Sequence, residues 1–341
     1  MDRICALKIL FDHGSAFLLA HGGFQIQIEQ TKAALEAIQV DVEYLRWWDD
    51  AQRADIVHYF GRPAAGYIRS AQLKGMKVMI APLLTGMGSR SRLQLFFQKV
   101  LTKSIRRLLP EIITAPFGWN SFQTADACMA LTAWEAYLMS YMFGASPQKV
   151  HVIPNGVEDV FLQSHPAQRG QWLVCTATIT ERKRILELAQ AAARAQTPLW
   201  IIGKAYADAD PYAQQFFALA KQNPDIIRYE GPARSREWLA QTYRQARGFV
   251  LLSNRESLSL SAGEAAACEC PMLLSDLPWA RTFFKNSVAY CPITSTPHTA
   301  KMLRQFYDAA PGLKPPSKPL TWIEAALELK SVYERLLNTS R

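Results

Sequence analysis

Two carboxylates eight residues apart, Glu256 and Glu264, stand in the stretch Ser253-Asn-Arg-Glu-Ser-Leu-Ser-Leu-Ser-Ala-Gly-Glu. The first follows the strand-like GFVLLS in a loop, and the second falls in the opening turn of a helical pattern. A loop that feeds a helix start offers unpaired N–H groups and the positive end of the helix dipole, which suits a phosphate. Small side chains at Ser257, Ser259 and Ser261 would let a diphosphate come close to that backbone. The same letters carry a plainer meaning. Ser261 and Glu264 form S-x-x-E, a capping box that accounts for Glu264 without any ligand. A second cluster, Arg182-Lys183-Arg184, follows the strand-like QWLVCTA. Open α/β sheets place their ligand crevice at the carboxyl ends of strands, and cations there could neutralise a leaving diphosphate as its charge grows. A solvated basic turn ahead of a helix is the alternative.

These residues need a scaffold, and the chain spells one out. The runs CALKILF, DVEYLRW, DIVHYFG, KVMIAPL and KVHVIP read as strands in the first half. QWLVCTATI, PLWIIG, IIRYEG, GFVLLS and CPMLLSD do the same in the second. Helical spacing lies between them, as in Ile26 to Ala37 and Arg184 to Ala195, so βαβ units and parallel sheets are expected. The 341 residues exceed what one hydrophobic core usually serves. The turn residues Pro154-Asn155-Gly156 mark the boundary, giving an α/β protein with Rossmann-like domains over 1–155 and 156–320. A helical pattern over Trp322 to Leu337 occupies the tail, 321–341.

Composition narrows the class. Hydrophobic residues make up 49% and charged residues 20%, which fits a globular enzyme and excludes wholesale disorder. Cys5, Cys128, Cys175, Cys268, Cys270 and Cys291 are scattered among apolar neighbours, as reduced thiols of a cytoplasmic protein would be. No signal peptide is read at the N-terminus, and no window approaches a membrane span. The net charge of +9 suits a phosphorylated small molecule, an anionic membrane or nucleic acid. With no recognition motif and no stacking aromatics between the cations, nucleic acid is not expected as a partner.

An ordered set of motifs then resembles the retaining glycosyltransferases of family 4, which have the GT-B fold. It runs V-H-V-I-P-N-G-V-E-D-V-F (150–161), Thr178 to Lys183, L-W-I-I-G (199–203), I-R-Y-E-G (227–231), Glu256 with Glu264, and E-A-A-A-C-E-C-P (264–271). The match covers essentially the whole second domain. Gly22-Gly23, A-D-I-V-H (54–58) and A-D-A-C-M-A-L-T (125–132) are similar in the first. The resemblance implies two facing domains, with the C-terminal helix crossing back to the first. It implies catalytic roles for Lys183, at the donor diphosphate, and Glu256, at the donor sugar. Thr178, Arg182 and the backbone of Ser257, Leu258, Ser259 and Leu260 would lie by the donor, Pro232 and Ala233 near its base, and Glu264 on the ribose hydroxyls. His21, Gly22, Gly23 and Thr85 would belong to a donor or acceptor loop. The family's usual Gly-Arg reads Ala177-Thr178 here, and its usual His after the KVMIAP strand is absent, the chain reading Pro82-Leu-Leu-Thr85.

The activity so implied is transfer of a hexose from a nucleoside-diphosphate sugar to a glycan or lipid-linked acceptor, in surface polysaccharide or glycolipid assembly. The alternative is a sugar-nucleotide-binding protein of the same fold with little or no transfer. No cofactor and no metal are expected. Asp208-Ala-Asp210 is a D-x-D, which binds a divalent metal in the other major glycosyltransferase fold, but Asp210 ahead of Pro211 reads as a helix N-cap. Residues 90–109 form a basic amphipathic helix. Arg92, Lys99, Lys103 and Arg106 cluster on one side, and Leu93, Phe97, Val100, Leu101 and Leu108 lie mostly on the other. Peripheral contact with an anionic membrane is one expectation for it, and packing of the apolar side on its own domain is the other; the two are compatible, with the basic face then at the headgroups.

Overall fold

The computed structural model of the chain describes residues 7–14, 17, 22–163, 167–207 and 209–338. The chain divides into two compact units, Met1–Asn155 with Trp322–Arg341, and Gly156–Thr321.

The first unit is built on a six-stranded, all-parallel sheet. Its strands are β1 (Lys8–His13), β2 (Asp41–Tyr44), β3 (Ile56–Phe60), β4 (Lys77–Ile80), β5 (Ala127–Ala130) and β6 (Val150–Val152), in the order β2-β1-β3-β4-β5-β6. Strands covered on both faces read as continuous apolar runs, and β4 is buried along Val78, Met79 and Ile80. β5 was not among the expected strands. Its four residues, Ala-Cys-Met-Ala, lack the β-branched and aromatic side chains that mark a strand, yet all are buried.

The helix Gly23–Ala37 starts three residues earlier than its apolar spacing suggested, with Gly22 as its N-cap. The C-terminal helix Trp322–Asn338 packs against it. There the buried Tyr333 hydroxyl lies 2.6 Å from Nδ1 of the buried His58 on β3, and Lys330 donates to the Ile38 carbonyl. Burial depresses the His58 imidazole to about 3, so the ring is neutral.

The second unit carries β7 (Leu173–Thr176), β8 (Leu199–Ile202), β9 (Ile227–Tyr229), β10 (Gly248–Leu251), β11 (Met272–Ser275) and β12 (Ala289–Cys291). These pair in parallel in the order β12-β11-β10-β7-β8-β9. Renumbered within the unit, the order is 3-2-1-4-5-6, that of the doubly wound dinucleotide-binding sheet. β12, like β5, was missed: it is three residues long and lies at the sheet edge. Cys128, Cys175, Cys268, Cys270 and Cys291 are all unpaired and buried, while Cys5 lies outside the described residues.

Candidate functional site

In a sheet of this order the strand sequence reverses between β7 and β10, and the loops leaving those two strands diverge to open a crevice. Both loops carry charge. After β7, Thr180 caps a single 3-10 turn, Glu181–Lys183, by accepting from the Lys183 N–H. Arg184 then adopts a left-handed conformation (φ 54°) before the helix Ile185–Ala195 begins. That kink lets a short loop present Arg182 and Lys183 while sending the chain back along the sheet. After β10, the chain runs through Ser253 to Ser259 into the helix Leu260–Ala267.

The loops are tied together. The Asn254 N–H donates to the Arg182 carbonyl (3.0 Å), and the Arg182 guanidinium donates to the Arg255 carbonyl (3.0 Å). Between them sits Glu256. Its side chain is 8% exposed; Lys183 Nζ donates to Oε1, and Arg182 Nη1 lies 3.2 Å from Oε2. Burial acts to raise the Glu256 carboxyl, but the Lys183 and Arg182 charges and the Lys183 hydrogen bond outweigh it and hold it below its ordinary value. The result is an ionised carboxylate with two cations just beyond the carboxyl ends of β7 and β10.

Glu264 occupies a separate setting in the same unit. It is buried, paired with Arg236 from the helix Arg236–Gln245, and accepts from the Tyr243 hydroxyl at 3.3 Å. Arg236 also holds Glu158 at 2.9 Å. Here burial prevails over Arg236, and the carboxyl is raised. The capping-box reading of Ser261 and Glu264 is incorrect. Ser259 is the N-cap, accepting from the Ala262 N–H at 3.4 Å, which places Glu264 in the helix's second turn. Glu264 is therefore held by Arg236 and Tyr243 rather than by the cap. Neither Arg236 nor Tyr243 was singled out from the sequence, and nothing in their neighbourhoods marks them.

The remaining candidates are placed as follows. Thr178 is half-buried on the loop after β7, Ser257 and Ser259 are buried, and Leu258 and Leu260 are half-buried. Pro232 is exposed and Ala233 half-buried, just beyond β9. The carboxyl ends of β7 and β8 approach closely: a Cβ on Gly203 would stand 1.9 Å from the Ala177 carbonyl oxygen, so only glycine fits. Asp210 caps the helix Pro211–Gln222, its carboxylate accepting from the Tyr212 N–H at 3.0 Å. Asp208 lies outside the described residues.

Gly22, Gly23 and Thr85 belong to the other unit, and His21 lies outside the described residues. Thr85 opens the short helix Thr85–Gly88. The loop before it is fixed by the buried Glu135, whose carboxylate accepts from the Leu84 and Leu131 N–H groups at 3.1 and 2.9 Å. At the carboxyl ends of β1, β3 and β4, where this sheet reverses its own strand order, lies a cavity of about 350 Å³ lined by Gly14, Phe24, Tyr59, Gly61, Arg62 and Pro82.

Residues 170–307 match the family model described as Glycosyl transferases group 1. That span begins just before β7 and contains β7 through β12, with Arg182, Lys183, Glu256 and Glu264. Solved structures match over more of the chain. A glycosyltransferase from Rickettsia africae ESF-5 is similar with a TM-score of 0.66 at 11% identity, covering 98% of this chain and 99% of that one. HepE from Anabaena, solved with UDP and glucose, scores 0.63 at 12% identity over 96% and 100%. The pneumococcal O-GlcNAc transferase GtfA, solved with UDP and GlcNAc, scores 0.56 at 16% identity, and this chain spans 57% of that protein's length. The fold is GT-B. No curated protein matches the chain by sequence.

Proposed function

We propose that the chain is a cytoplasmic, retaining glycosyltransferase of family 4 that moves a hexose from a nucleoside-diphosphate sugar to a hydroxyl of a glycan or lipid-linked acceptor. Surface polysaccharide or glycolipid assembly is the setting that such acceptors imply. The observation carrying this reading is the triad Arg182, Lys183 and Glu256 at the reversal point of the second sheet, inside the segment that matches the family model.

Each group has work suited to it. Lys183 and Arg182 meet the negative charge that grows on the departing diphosphate, a role that substitutes for a metal. Glu256, kept ionised by those cations, accepts hydrogen bonds from sugar hydroxyls. The serine-rich backbone from Ser257 to Leu260 approaches the phosphates at a helix start, with Thr178 nearby. Glu264 accepts from the ribose hydroxyls, and Pro232 with Ala233 flanks the base. The departing phosphate oxygen takes the acceptor proton on the same face of the sugar, so the anomeric configuration is kept, and catalysis rests on positioning and leaving-group stabilisation. Gly22, Gly23 and Thr85 serve the acceptor or donor from the first unit, and the same role is proposed for His21.

One feature supports a second reading. Thr178 stands where the resemblance puts an arginine, which removes one phosphate-binding cation and fits a protein that binds sugar nucleotides with little or no transfer. Calorimetry and thermal shift with a panel of nucleoside diphosphates and their sugars, with and without magnesium, test the donor site. Metal-independent stabilisation by one nucleotide, lost in Lys183→Ala, supports it. Failure of every nucleotide at millimolar concentration sinks it. Product formation with a retained anomer, read by NMR, separates enzyme from binding protein.

A further inference from the structure

The helix Arg92–Leu108 turns its most apolar side to solvent. It is well specified locally: Ser91 and Gln94 form a reciprocal capping box, and Arg106 and Arg107 sit in the last turn, where the dipole favours cations. Among its residues only Leu95 and Thr102 are buried. At 100° per residue those two point the same way, so they define the side against the domain. The opposite side carries Leu93, Phe97, Val100 and Leu108, edged by Leu101 on one flank and by Phe96, among the cations, on the other; Phe97 is 63% exposed, Leu101 61% and Leu108 79%. Of the two expectations for this helix, packing of the apolar stripe on its own domain is therefore the one that fails. Ordinary soluble surfaces scatter such residues singly; a contiguous stripe marks a place of contact.

The charge beside the stripe says what kind of contact. Arg92, Lys103 and Arg107 are exposed along one flank. Lys99 stacks over Tyr141 (3.8 Å) and Arg106 reaches Asn120 (2.5 Å), so these two are steadied by the domain beside that flank. From Ile56 to Pro110 the chain has no Asp or Glu at all, against ten Lys and Arg. An apolar stripe edged by cations matches a bilayer interface bearing anionic headgroups, into which the side chains insert while the cations meet phosphate. A second copy of this chain fits poorly, because it would bring the same unbalanced cations together.

We propose that the helix Arg92–Leu108 docks the protein peripherally on an anionic lipid surface, with Phe97, Leu101 and their neighbours inserted and Lys103 and Arg107 at the headgroups. Docking there is independent of donor binding in the other unit. The test is co-sedimentation of the full chain with vesicles of phosphatidylcholine alone and of phosphatidylcholine mixed with phosphatidylglycerol. Binding to the mixed vesicles only, weakened by salt, is expected. Lys103→Glu with Arg107→Glu should lower it more than about twentyfold, since each cation near such a surface contributes about fivefold. Phe97→Ser with Leu101→Ser should abolish it while the melting temperature and nucleotide binding stay at wild-type values, because neither side chain is part of the core. Equal binding to both vesicle types, binding unchanged by either pair of substitutions, or no binding at all overturns the proposal. So does a wild-type dimer in sedimentation equilibrium that Phe97→Ser dissociates.

Discussion

Lys183→Ala is the most informative single change, because it separates the electrostatics of the crevice from its ligand. Glu256 is buried, and its ionised form is sustained by two cations. Removing one partner of a buried pair costs about 3–5 kcal/mol, mostly from the charge left behind. Arg182 remains 3.2 Å from Oε2 and is itself about one-third exposed, so the low end, about 3 kcal/mol, is expected. For a unit of this size that lowers the melting temperature by roughly 6–12 °C. Glu256→Gln alone should cost about 1–2 kcal/mol, since Lys183 can turn its ammonium toward water. The double variant leaves no buried carboxylate short of a cation, and Arg182, one-third exposed, keeps water as a partner, so its loss should fall short of the sum by about 1.5 kcal/mol or more.

The pH dependence gives an independent sign. A carboxyl held below its ordinary value of 4.5 stabilises the fold above that pH, and the contribution is lost as pH falls through the folded value. In Lys183→Ala burial is opposed by Arg182 and, more weakly, by Ser253, the folded carboxyl rises, and this acid loss shrinks. The deficit of Lys183→Ala relative to wild type should therefore narrow as the pH is lowered below 4.5. Urea unfolding followed by tryptophan fluorescence, on wild type, both single variants and the double, measures all of this. An additive cycle together with a deficit that does not change with pH would refute the coupling inferred from the geometry.

Further outcomes follow from the same geometry. Glu264→Gln should weaken nucleoside-diphosphate binding by about 10–100-fold in calorimetry, the loss of a charged hydrogen-bond acceptor. Asp210→Ala should cost about 1 kcal/mol of stability as a lost cap, and transfer should proceed unchanged in excess chelator; inhibition reversed by a divalent ion would restore the metal reading of Asp208 and Asp210. Gly203→Ala, forcing a Cβ to 1.9 Å from the Ala177 carbonyl, should cost roughly 3 kcal/mol or more in urea unfolding. His58, depressed by burial to about 3 from 6.5, is protonated first in the unfolded chain, so stability should fall as the pH drops below 6.5. His58→Leu should flatten that limb between 6.5 and about 5, and a limb left unchanged would mean that another group carries it.

How far these features can be read from the sequence depends on whether the physics is local. Apolar runs such as LVCT and GFVL announce their strands because a buried parallel strand needs nothing but hydrophobic side chains. ACMA and AYC do not, since alanine and cysteine are at home in helices and turns as well, and only tertiary burial decides. The Asp210 cap is local and legible; the Ser259 cap lost out to Ser261 because S-x-x-E reads equally well two residues downstream. The crevice itself is not local. Glu256 and Lys183 are 73 residues apart, and they meet because β7 and β10 are neighbours, an order that no window of sequence encodes. Arg236 reaches Glu158 across 78 residues for the same kind of reason. The basic helix shows the limit most sharply. Its periodicity gives the stripe and the cations, but a stripe of leucine and phenylalanine has the same spacing whether a core or a solvent lies beside it. Only the burial of Leu95 and Thr102, on the opposite side, decides which.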